Sequence, residues 1–238
     1  MRPLLASSAV VTTAAVTYWG PGARAIMPVR RRLFPRLSGY GGAGHVALTF
    51  DDGPDPAGTP AVLNVLAEWN VQATFFMLGS MAAAAPGLAR EVTAAGHQIA
   101  VHGWTHRVMA ADRPPVVYGD LARARDVLAG ITGQVPSWFR PPYGILTSGA
   151  LSAARQLGLR PVLWTSSGRE WQRGATPASV FARLRGTLDG GGTVLLHDSS
   201  QQAWPGSSPA ACAALPALLA ECSRRELTVG TLGQHGLG

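Results

Sequence analysis

Short apolar runs alternate with longer amphipathic runs from residue 45 onward, and this alternation predicts repeated β-α units. Strands are predicted at residues 45–50, 71–77, 97–101, 137–140, 161–164, 193–196 and 227–229. These runs are short and rich in β-branched and aromatic residues, as is typical of parallel strands buried on both faces. We therefore expect an α/β fold of about seven units in a single domain.

Helices are predicted between these strands, at residues 59–69, 84–95, 118–131 and 148–157 and after residues 176 and 208. Three of them are expected to begin with an N-cap residue followed by proline: Thr59-Pro60, Thr176-Pro177 and Ser208-Pro209. A distorted or incomplete (β/α) barrel accounts for this number of units better than a flat sheet does.

Composition restricts the class of protein. The chain has 238 residues, 47% of them hydrophobic, which is enough for one domain with a sizeable core. Its formal charge is +7, but every basic residue is arginine and most are scattered, so we expect no nucleic-acid partner. Cys212 and Cys222 lie ten positions apart on one predicted helix, about 15 Å from each other, so they are not expected to pair.

The N-terminal segment has some features of a targeting signal. Arg2 precedes an apolar run that ends at a Gly-Pro-Gly breaker, and a small-x-small sequence follows at residues 23–25. Residues 1–25 are therefore predicted to be a signal peptide or a membrane-proximal segment, and residues 26–44 a linker. This favours secretion or attachment to a membrane. We separately expect the protein to be a monomer. The arginines at 30–32 favour retention on the cytoplasmic side, so a cytoplasmic location is the alternative.

Charged and imidazole side chains follow the predicted strands. Asp51 and Asp52 follow the first strand and precede Gly-Pro, a sequence that by itself is equally typical of a turn. His102 and His106 follow the third strand, and their spacing of four lets one tight turn aim both imidazoles at one point. An Asp-His-His set suits Zn²⁺, Co²⁺ or Ni²⁺ and leaves positions open for water and substrate.

Further strand ends carry Arg140, Glu170 and His197. Each could be a turn, loop or core residue when taken alone. Five strand ends of this kind between residues 51 and 197 instead indicate a functional site, because the carboxyl ends of parallel strands meet at one edge of a sheet.

The order of these sequences resembles a known family. Thr-Phe-Asp-Asp-Gly, His-x-x-x-His, Arg-Pro-Pro-Tyr, a Trp-containing acidic segment and Leu-x-His are similar to the five motifs of the polysaccharide deacetylases, the NodB-like domain of carbohydrate esterase family 4. The motifs span residues 49–197, and the catalytic domain is expected to span residues 45–232. The resemblance implies a metal-dependent hydrolase that removes N-acetyl groups from chitin, peptidoglycan or N-acetylglucosamine conjugates.

The resemblance also implies roles for individual residues. Asp52, His102 and His106 would bind the divalent metal, with Zn²⁺ expected first. Asp51 would be the general base, oriented by Arg140, and His197 the general acid, tuned by Glu170. The backbone N–H of Tyr143 would stabilise the oxyanion.

The sequence departs from the family pattern at three positions. Gly103 replaces a Ser or Thr after the first metal histidine, which removes a hydrogen bond that would steady the ligand loop. Ser167 and Glu170 stand where two aspartates are usual, and Glu170 must act with one more methylene.

Other functions stay open at this stage. An O-acetyl glycan esterase of the acetyl-xylan type needs the same activation of the acetyl group, and a non-catalytic carbohydrate-binding relative is a second alternative. A nucleotide-sugar transferase is disfavoured because no phosphate-binding glycine loop lies near residue 52. Four tryptophans are candidates for sugar stacking or for the core: Trp104, Trp138, Trp171 and Trp204.

Overall fold

A curled parallel sheet organises the part of the chain described by this computed structural model, residues 31–237. Its strands are β1 (His45–Asp51), β2 (Thr74–Met77), β3 (Gln98–Val101), β4 (Trp138–Phe139), β5 (Arg160–Pro161), β6 (Ser166–Ser167), β7 (Thr193–His197) and β8 (Thr228–Gly230). Seven strands follow the order β5-β4-β3-β2-β1-β7-β6, and β8 pairs with β1. Within the described range β5 and β6 do not pair, so the barrel is incomplete, as the sequence predicted.

Helices cover the outside of this sheet. They are α1 (Pro35–Ser38), α2 (Thr59–Glu68), α3 (Gly79–Ala84), α4 (Pro86–Ala94), α5 (Pro114–Thr132), α6 (Ser148–Gln156), α7 (Pro177–Thr187) and α8 (Ser207–Arg224). Short 3-10 turns lie at Met109–Ala111, Pro142–Gly144 and Leu232–Gln234. The fold is thus the α/β architecture expected from the alternation of the sequence.

Alternate residues of the central strands face two different environments. Val46, Leu48 and Phe50 of β1 belong to the large apolar cluster that the helices cover. Ala47 belongs to a smaller cluster, together with Phe76 of β2. Because side chains alternate along a strand, Thr49 and Asp51 share the face of Ala47, which is the inside of the partial barrel.

Two predicted boundaries were wrong because backbone groups have other partners. The strand predicted from residue 71 begins at Thr74, since the N–H of Val71 bonds the carbonyl of Leu66 at 2.9 Å as the preceding helix ends. The strand predicted at residues 161–164 is β5, only two residues long. Here the N–H of Leu163 bonds the carbonyl of Leu37 at 2.9 Å instead of a neighbouring strand.

Other differences come from proline and serine. The helix predicted at residues 84–95 corresponds to α4, which begins only at Pro86, while Ala84 is the last residue of a separate helix, α3. The two helices are interrupted because Ala85 precedes Pro86 and has non-helical dihedrals (φ −129°, ψ 60°). The helix predicted from Ser208 begins one residue earlier, after Gly206. Strand β6 consists of two serines, which carry no apolar pattern, and it was not predicted.

The predicted N-terminal leader, residues 1–25, lies outside the described residues, as do residues 26–30. Part of the predicted linker is described, and it packs on the sheet through a 2.7 Å hydrogen bond from the hydroxyl of Thr193 to the carbonyl of Gly39. None of the helices in the described range has the length and apolar character needed to cross a membrane.

The structure shows the positions of the two cysteines and of Trp138, one of the four candidate tryptophans. Cys212 and Cys222 both lie on α8 as free cysteines. Trp138 is a core residue, because it is 3% exposed and the guanidinium of Arg160 lies 3.9 Å from its ring centre. It is therefore not available to stack on a sugar.

His97, just before β3, couples folding to pH. It is buried, its Nδ1 accepts the N–H of Ala73 at 3.2 Å, and burial lowers its pKa to about 4. Below pH ~6.5 the unfolded chain therefore binds a proton that the folded chain excludes until pH falls to about 4. We expect roughly 2–3 kcal/mol of the free energy of unfolding to be lost between pH 7 and pH 4 through this group alone.

His97→Asn should remove this part of the pH dependence, because its side-chain oxygen can accept the same N–H without titrating. Urea unfolding of both proteins at pH 7 and pH 4 checks the expectation. Equal losses of stability in the two proteins would contradict it.

Candidate active site

The end of β1 brings two neighbouring carboxylates to one cavity. The strand ends at Asp51, and Asp52 has a left-handed backbone (φ 78°), so the chain turns between them. Without this turn, adjacent residues of an extended strand would point to opposite sides. Both side chains are about 2% exposed and both line a cavity of about 110 Å³.

The carboxyl ends of several strands supply the walls of this cavity. The sequence-predicted residues Asp51, Asp52, His102, His106, Tyr143 and His197 line it together with Gly144, Trp164, Trp171, Leu195, Gln202 and Ala203. Arg140 and Glu170 lie directly behind the cavity-lining side chains. The structure therefore gathers all eight predicted residues at one edge of the sheet.

Arg140 fills the inside of the partial barrel next to Asp51. It is fully buried, and its Nη1 donates to Asp51 Oδ1 at 2.7 Å and to the hydroxyl of Thr49 at 2.8 Å. Its Nη2 donates to the carbonyl of Leu163 at 3.0 Å, and the guanidinium lies 4.1 Å from the ring centre of Phe76. Asp51 is thereby fixed through one oxygen, while Oδ2 lies 3.8 Å from Nε2 of His102.

Asp52, His102 and His106 form a cluster that could hold a metal ion. Their ligand atoms all lie within 4.8 Å of one another. Asp52 Oδ1 is 3.2 Å from Nε2 of His102 and 3.4 Å from Nε2 of His106. Two ligands at ~2.1 Å from a tetrahedral Zn²⁺ are about 3.4 Å apart, so the observed spacing fits such an ion.

The hydrogen bonds of the cluster support the same fit. Nδ1 of His102 lies 2.8 Å from the carbonyl of Arg140 and must donate to it, which leaves a lone pair on Nε2 in the neutral ring. That lone pair faces Asp52 Oδ1, a buried oxygen without a hydrogen bond from any described residue. Two acceptors at this distance repel each other unless a proton or a cation lies between them.

Electrostatics keeps Asp52 ionised. Burial raises its pKa, but the neighbouring imidazoles of His102, His197 and His106 outweigh burial and lower it to about 2. Burial lowers the pKa of His106. Burial also opposes protonation of His102, but Asp51 and Asp52 overcome this and raise its pKa. The cluster thus concentrates negative charge beside imidazoles, as a cation site requires.

His197 and Glu170 form a second pair across the cavity. Nδ1 of His197 lies 2.7 Å from Glu170 Oε1, so the longer side chain of Glu170 does reach the histidine. Burial lowers the pKa of His197, but the hydrogen bond and charge of Glu170 outweigh it and raise the pKa to about 9. The ring is fixed further by an edge contact with Trp171, at 5.2 Å between ring centres. The contact with Glu170 therefore favours the protonated form of His197.

Tyr143 lies in the Pro142–Gly144 turn with a left-handed backbone (φ 59°). Its ring is partly exposed at the mouth of the cavity and packs edge-on against His106, at 4.4 Å between ring centres. The turn therefore brings the ring of this residue beside the Asp52–His102–His106 cluster.

A hydrogen-bond network behind the Asp52 turn was not foreseen from the sequence. Asp198 accepts the hydroxyl hydrogen of Thr59, which itself accepts the N–H of Asp55 at 2.8 Å. Burial raises the pKa of Asp198 to about 7. A side chain at Gly53 would place its Cβ 2.2 Å from Asp198 Oδ2, so only glycine fits this turn. Nothing in the sequence marks Asp198 beyond its position after His197.

Asp120 of α5 steadies the loop between the two metal-cluster histidines. Its Oδ2 accepts the N–H of Trp104 at 2.8 Å, and its Oδ1 lies 3.3 Å from Nε of Arg107. Gly103 has a left-handed backbone (φ 99°), and a Cβ there would approach the end of Met109 to 2.9 Å. The hydrogen bond expected to be missing at Gly103 therefore has a substitute from another helix, which sequence order could not reveal.

Comparison with known proteins gives consistent relatives. A sequence model of the polysaccharide deacetylase family matches residues 39–162. A chitooligosaccharide deacetylase of Bradyrhizobium sp. (strain ANU 289) is 38% identical over 173 residues, covering 70% of this chain and 77% of that protein. A peptidoglycan-N-acetylglucosamine deacetylase of Listeria monocytogenes is 35% identical over 153 residues, and the match covers 64% of this chain and only 32% of that protein.

A solved structure agrees with the fold. A peptidoglycan N-acetylglucosamine deacetylase in complex with 4-naphthalen-1-yl-N-oxidanyl-benzamide superposes with a TM-score of 0.77 at 27% identity, over 83% of this chain and 91% of that one.

Asp120→Ala should weaken Zn²⁺ binding at the Asp52–His102–His106 cluster about 10- to 100-fold, because it frees the loop that positions the two histidines. Competition with a chromogenic chelator measures the affinity. Asp126→Ala is the matched control, since Asp126 lies on the same helix, is exposed and, among the described residues, pairs only with Arg125. Equal affinities in the two variants would show that Asp120 does not steady the site.

Proposed function

The chain belongs to the polysaccharide deacetylase family, and from this we propose that it hydrolyses N-acetyl groups of an N-acetylated sugar or polysaccharide. One observation carries the proposal. Asp51, held by Arg140, and His197, whose protonated form Glu170 favours, line one cavity with the Asp52–His102–His106 cluster. Amide hydrolysis needs such a base and acid in reach of one carbonyl carbon.

The proposed substrates are those of the relatives: chito-oligosaccharides, peptidoglycan or another conjugate of N-acetylglucosamine. Such glycans belong to the cell envelope or the exterior. We therefore propose secretion or membrane attachment through residues 1–25. A linker at 26–44, a catalytic domain at 45–232 and a monomeric state are further parts of the proposal.

Asp52, His102 and His106 would hold the divalent ion, with Zn²⁺ first and Co²⁺ or Ni²⁺ as alternatives. When bound, such an ion polarises the acetyl carbonyl and lowers the pKa of the attacking water. The three side chains suit this because their donor atoms are one carboxylate oxygen and two imidazole nitrogens already grouped within 4.8 Å.

Asp51 is proposed as the general base. Its Oδ1 accepts a hydrogen bond from Arg140, and Oδ2 remains on the cavity side. Arg140 itself is immobilised by Thr49 and Leu163, so Asp51 keeps one orientation. A carboxylate held in this way can take a proton from water without reorganising.

His197 is proposed as the general acid that protonates the leaving amine. With Nδ1 bonded to Glu170, its Nε2–H faces the cavity and can be delivered when the carbon–nitrogen bond breaks. The backbone N–H of Tyr143 is proposed to donate to the oxyanion that forms on the acetyl oxygen, since the left-handed turn places this residue beside the cluster.

Acetate release from chitotetraose or peptidoglycan in the presence of Zn²⁺ or Co²⁺ tests the reaction. Asp51→Asn should lower kcat by about 10²- to 10⁴-fold because the base is lost. It should still bind Zn²⁺, because Asp51 is not one of the three grouped ligands. Acetyl-xylan serves as the comparison substrate, and faster release from it would favour the O-acetyl esterase alternative. No acetate from any of these substrates, with metal verified in the protein, would refute the proposal.

Glu170→Gln should shift the basic limb of the pH–rate profile. The reaction needs protonated His197, so activity falls as pH rises through its pKa of about 9. Loss of the Glu170 charge lowers that pKa, and we expect the limb to move down by about one pH unit or more. Glu170→Asp keeps the charge and is the control. An unchanged limb in Glu170→Gln would exclude His197 as the acid that this limb reports.

A further inference from the structure

A second cavity of about 640 Å³ opens beside the proposed catalytic cavity, and Trp164 and Trp171 line both. Three arginines line it, and we refer to it as the arginine cavity. They are Arg31, which precedes α1, Arg169, which follows β6, and Arg183 on α7. Positive charge thus comes together from three separate parts of the chain.

No carboxylate offsets this charge. Among the described residues neither Asp nor Glu lines the arginine cavity. Residues 1–30 contain no Asp or Glu either, so a counter-charge does not come from that part of the sequence. Neighbouring like charges repel each other, and an anion that enters such a cavity is attracted by all of them.

The guanidinium groups have unused hydrogen-bond donors. Nη2 of Arg31 donates to the carbonyl of Thr165 at 2.6 Å, while its buried Nε has no partner within the described range. The guanidinium groups of Arg169 and Arg183 form no ion pair or hydrogen bond with a described residue. In contrast, five arginines elsewhere in the described structure pair with carboxylates: Arg107, Arg125, Arg140, Arg224 and Arg225.

Arg169 also has an unusual backbone. Its φ of 54° is left-handed, which is disfavoured for a residue with a side chain and occurs preferentially at functional sites. It immediately precedes Glu170, the partner of His197. A lining residue of the arginine cavity is thus the direct chain neighbour of a member of the proposed catalytic pair.

We propose that the arginine cavity binds an anionic group, a carboxylate or a phosphate, carried by the same sugar substrate whose acetamido group enters the catalytic cavity. This inference rests on the proposed function and narrows its substrate class to acid-bearing glycans. Arginine presents several N–H donors in a planar fork that matches the oxygens of both groups. Trp164 and Trp171, shared by the two cavities, offer aromatic surface for the sugar between them.

Three substrates with the same acetamido sugar separate the possibilities. They are the disaccharide of N-acetylglucosamine and N-acetylmuramic acid, which has a carboxylate, N-acetylglucosamine 1-phosphate, and neutral N,N′-diacetylchitobiose. At low salt we expect kcat/KM for acetate release to be at least about tenfold higher for one acid-bearing substrate than for the neutral disaccharide. A preference for the first acid identifies a carboxylate site, and a preference for the second identifies a phosphate site.

The double variant Arg169→Gln/Arg183→Gln should lower this ratio about tenfold, since two charge-assisted contacts are lost. The matched control is Arg90→Gln/Arg155→Gln, which removes the same charge from exposed positions on α4 and α6. An unchanged ratio in the first double variant would overturn the proposal. An equal fall in the control would also overturn it, because the effect would then be one of net charge.

Calorimetric titration of the Asp51→Asn protein with each of the two acid-bearing sugars tests binding without turnover. Adding Arg169→Gln/Arg183→Gln to that background should raise the Kd about tenfold. If wild-type protein releases no acetate from any substrate, the proposed function fails, and this titration still decides whether the arginine cavity binds anions. If the neutral disaccharide is deacetylated and the Kd for the acid does not change, only the arginine cavity proposal fails.

Discussion

The buried contact between Arg140 and Asp51 constrains the whole site. Removing a guanidinium from water costs several kcal/mol unless its charge is paired and its donors are bonded. Here two parts of the partial barrel provide the partners, because Thr49 and Asp51 lie in β1 and the carbonyl of Leu163 follows β5. The orientation of the proposed base and the closure of the barrel interior therefore depend on the same few hydrogen bonds.

Groups of opposite charge, Asp52 and His197, also face each other across the small cavity. Neighbouring imidazoles lower the pKa of Asp52 to about 2, and Glu170 raises that of His197 to about 9. Between these values one group stays ionised and the other stays protonated. Asp52, a proposed metal ligand, and His197, the proposed acid, can then keep opposite charges at neutral pH, although Nε2 of His197 and Asp52 Oδ2 are only 3.9 Å apart.

The alternation of apolar and amphipathic runs along the sequence was sufficient to predict the fold class and the grouping of the eight candidate residues, because the ends of parallel strands meet at one edge of the sheet. It was not sufficient for contacts that join distant segments. Thr49 is an ordinary strand residue until Arg140, 91 positions away, bonds it. Asp120 lies on a helix without any motif, yet it holds the loop at Gly103. Strand β6 is two serines whose pairing with β7 is a tertiary effect. Whether Glu170 reaches His197 likewise depends on a distance that the sequence pattern does not give.

The incomplete closure of the barrel has a consequence for behaviour in crowded solution. An open sheet exposes two edges, and unpaired edge strands are the usual templates for self-association. Within the described range the edge strands β5 and β6 are two residues long, and β8, which pairs only with β1, is three residues long. One edge residue, Pro161, has no N–H to offer. A neighbouring copy would find too few free backbone groups to extend the sheet. The gap between β5 and β6 therefore does not expose a long strand edge on which fibres could form.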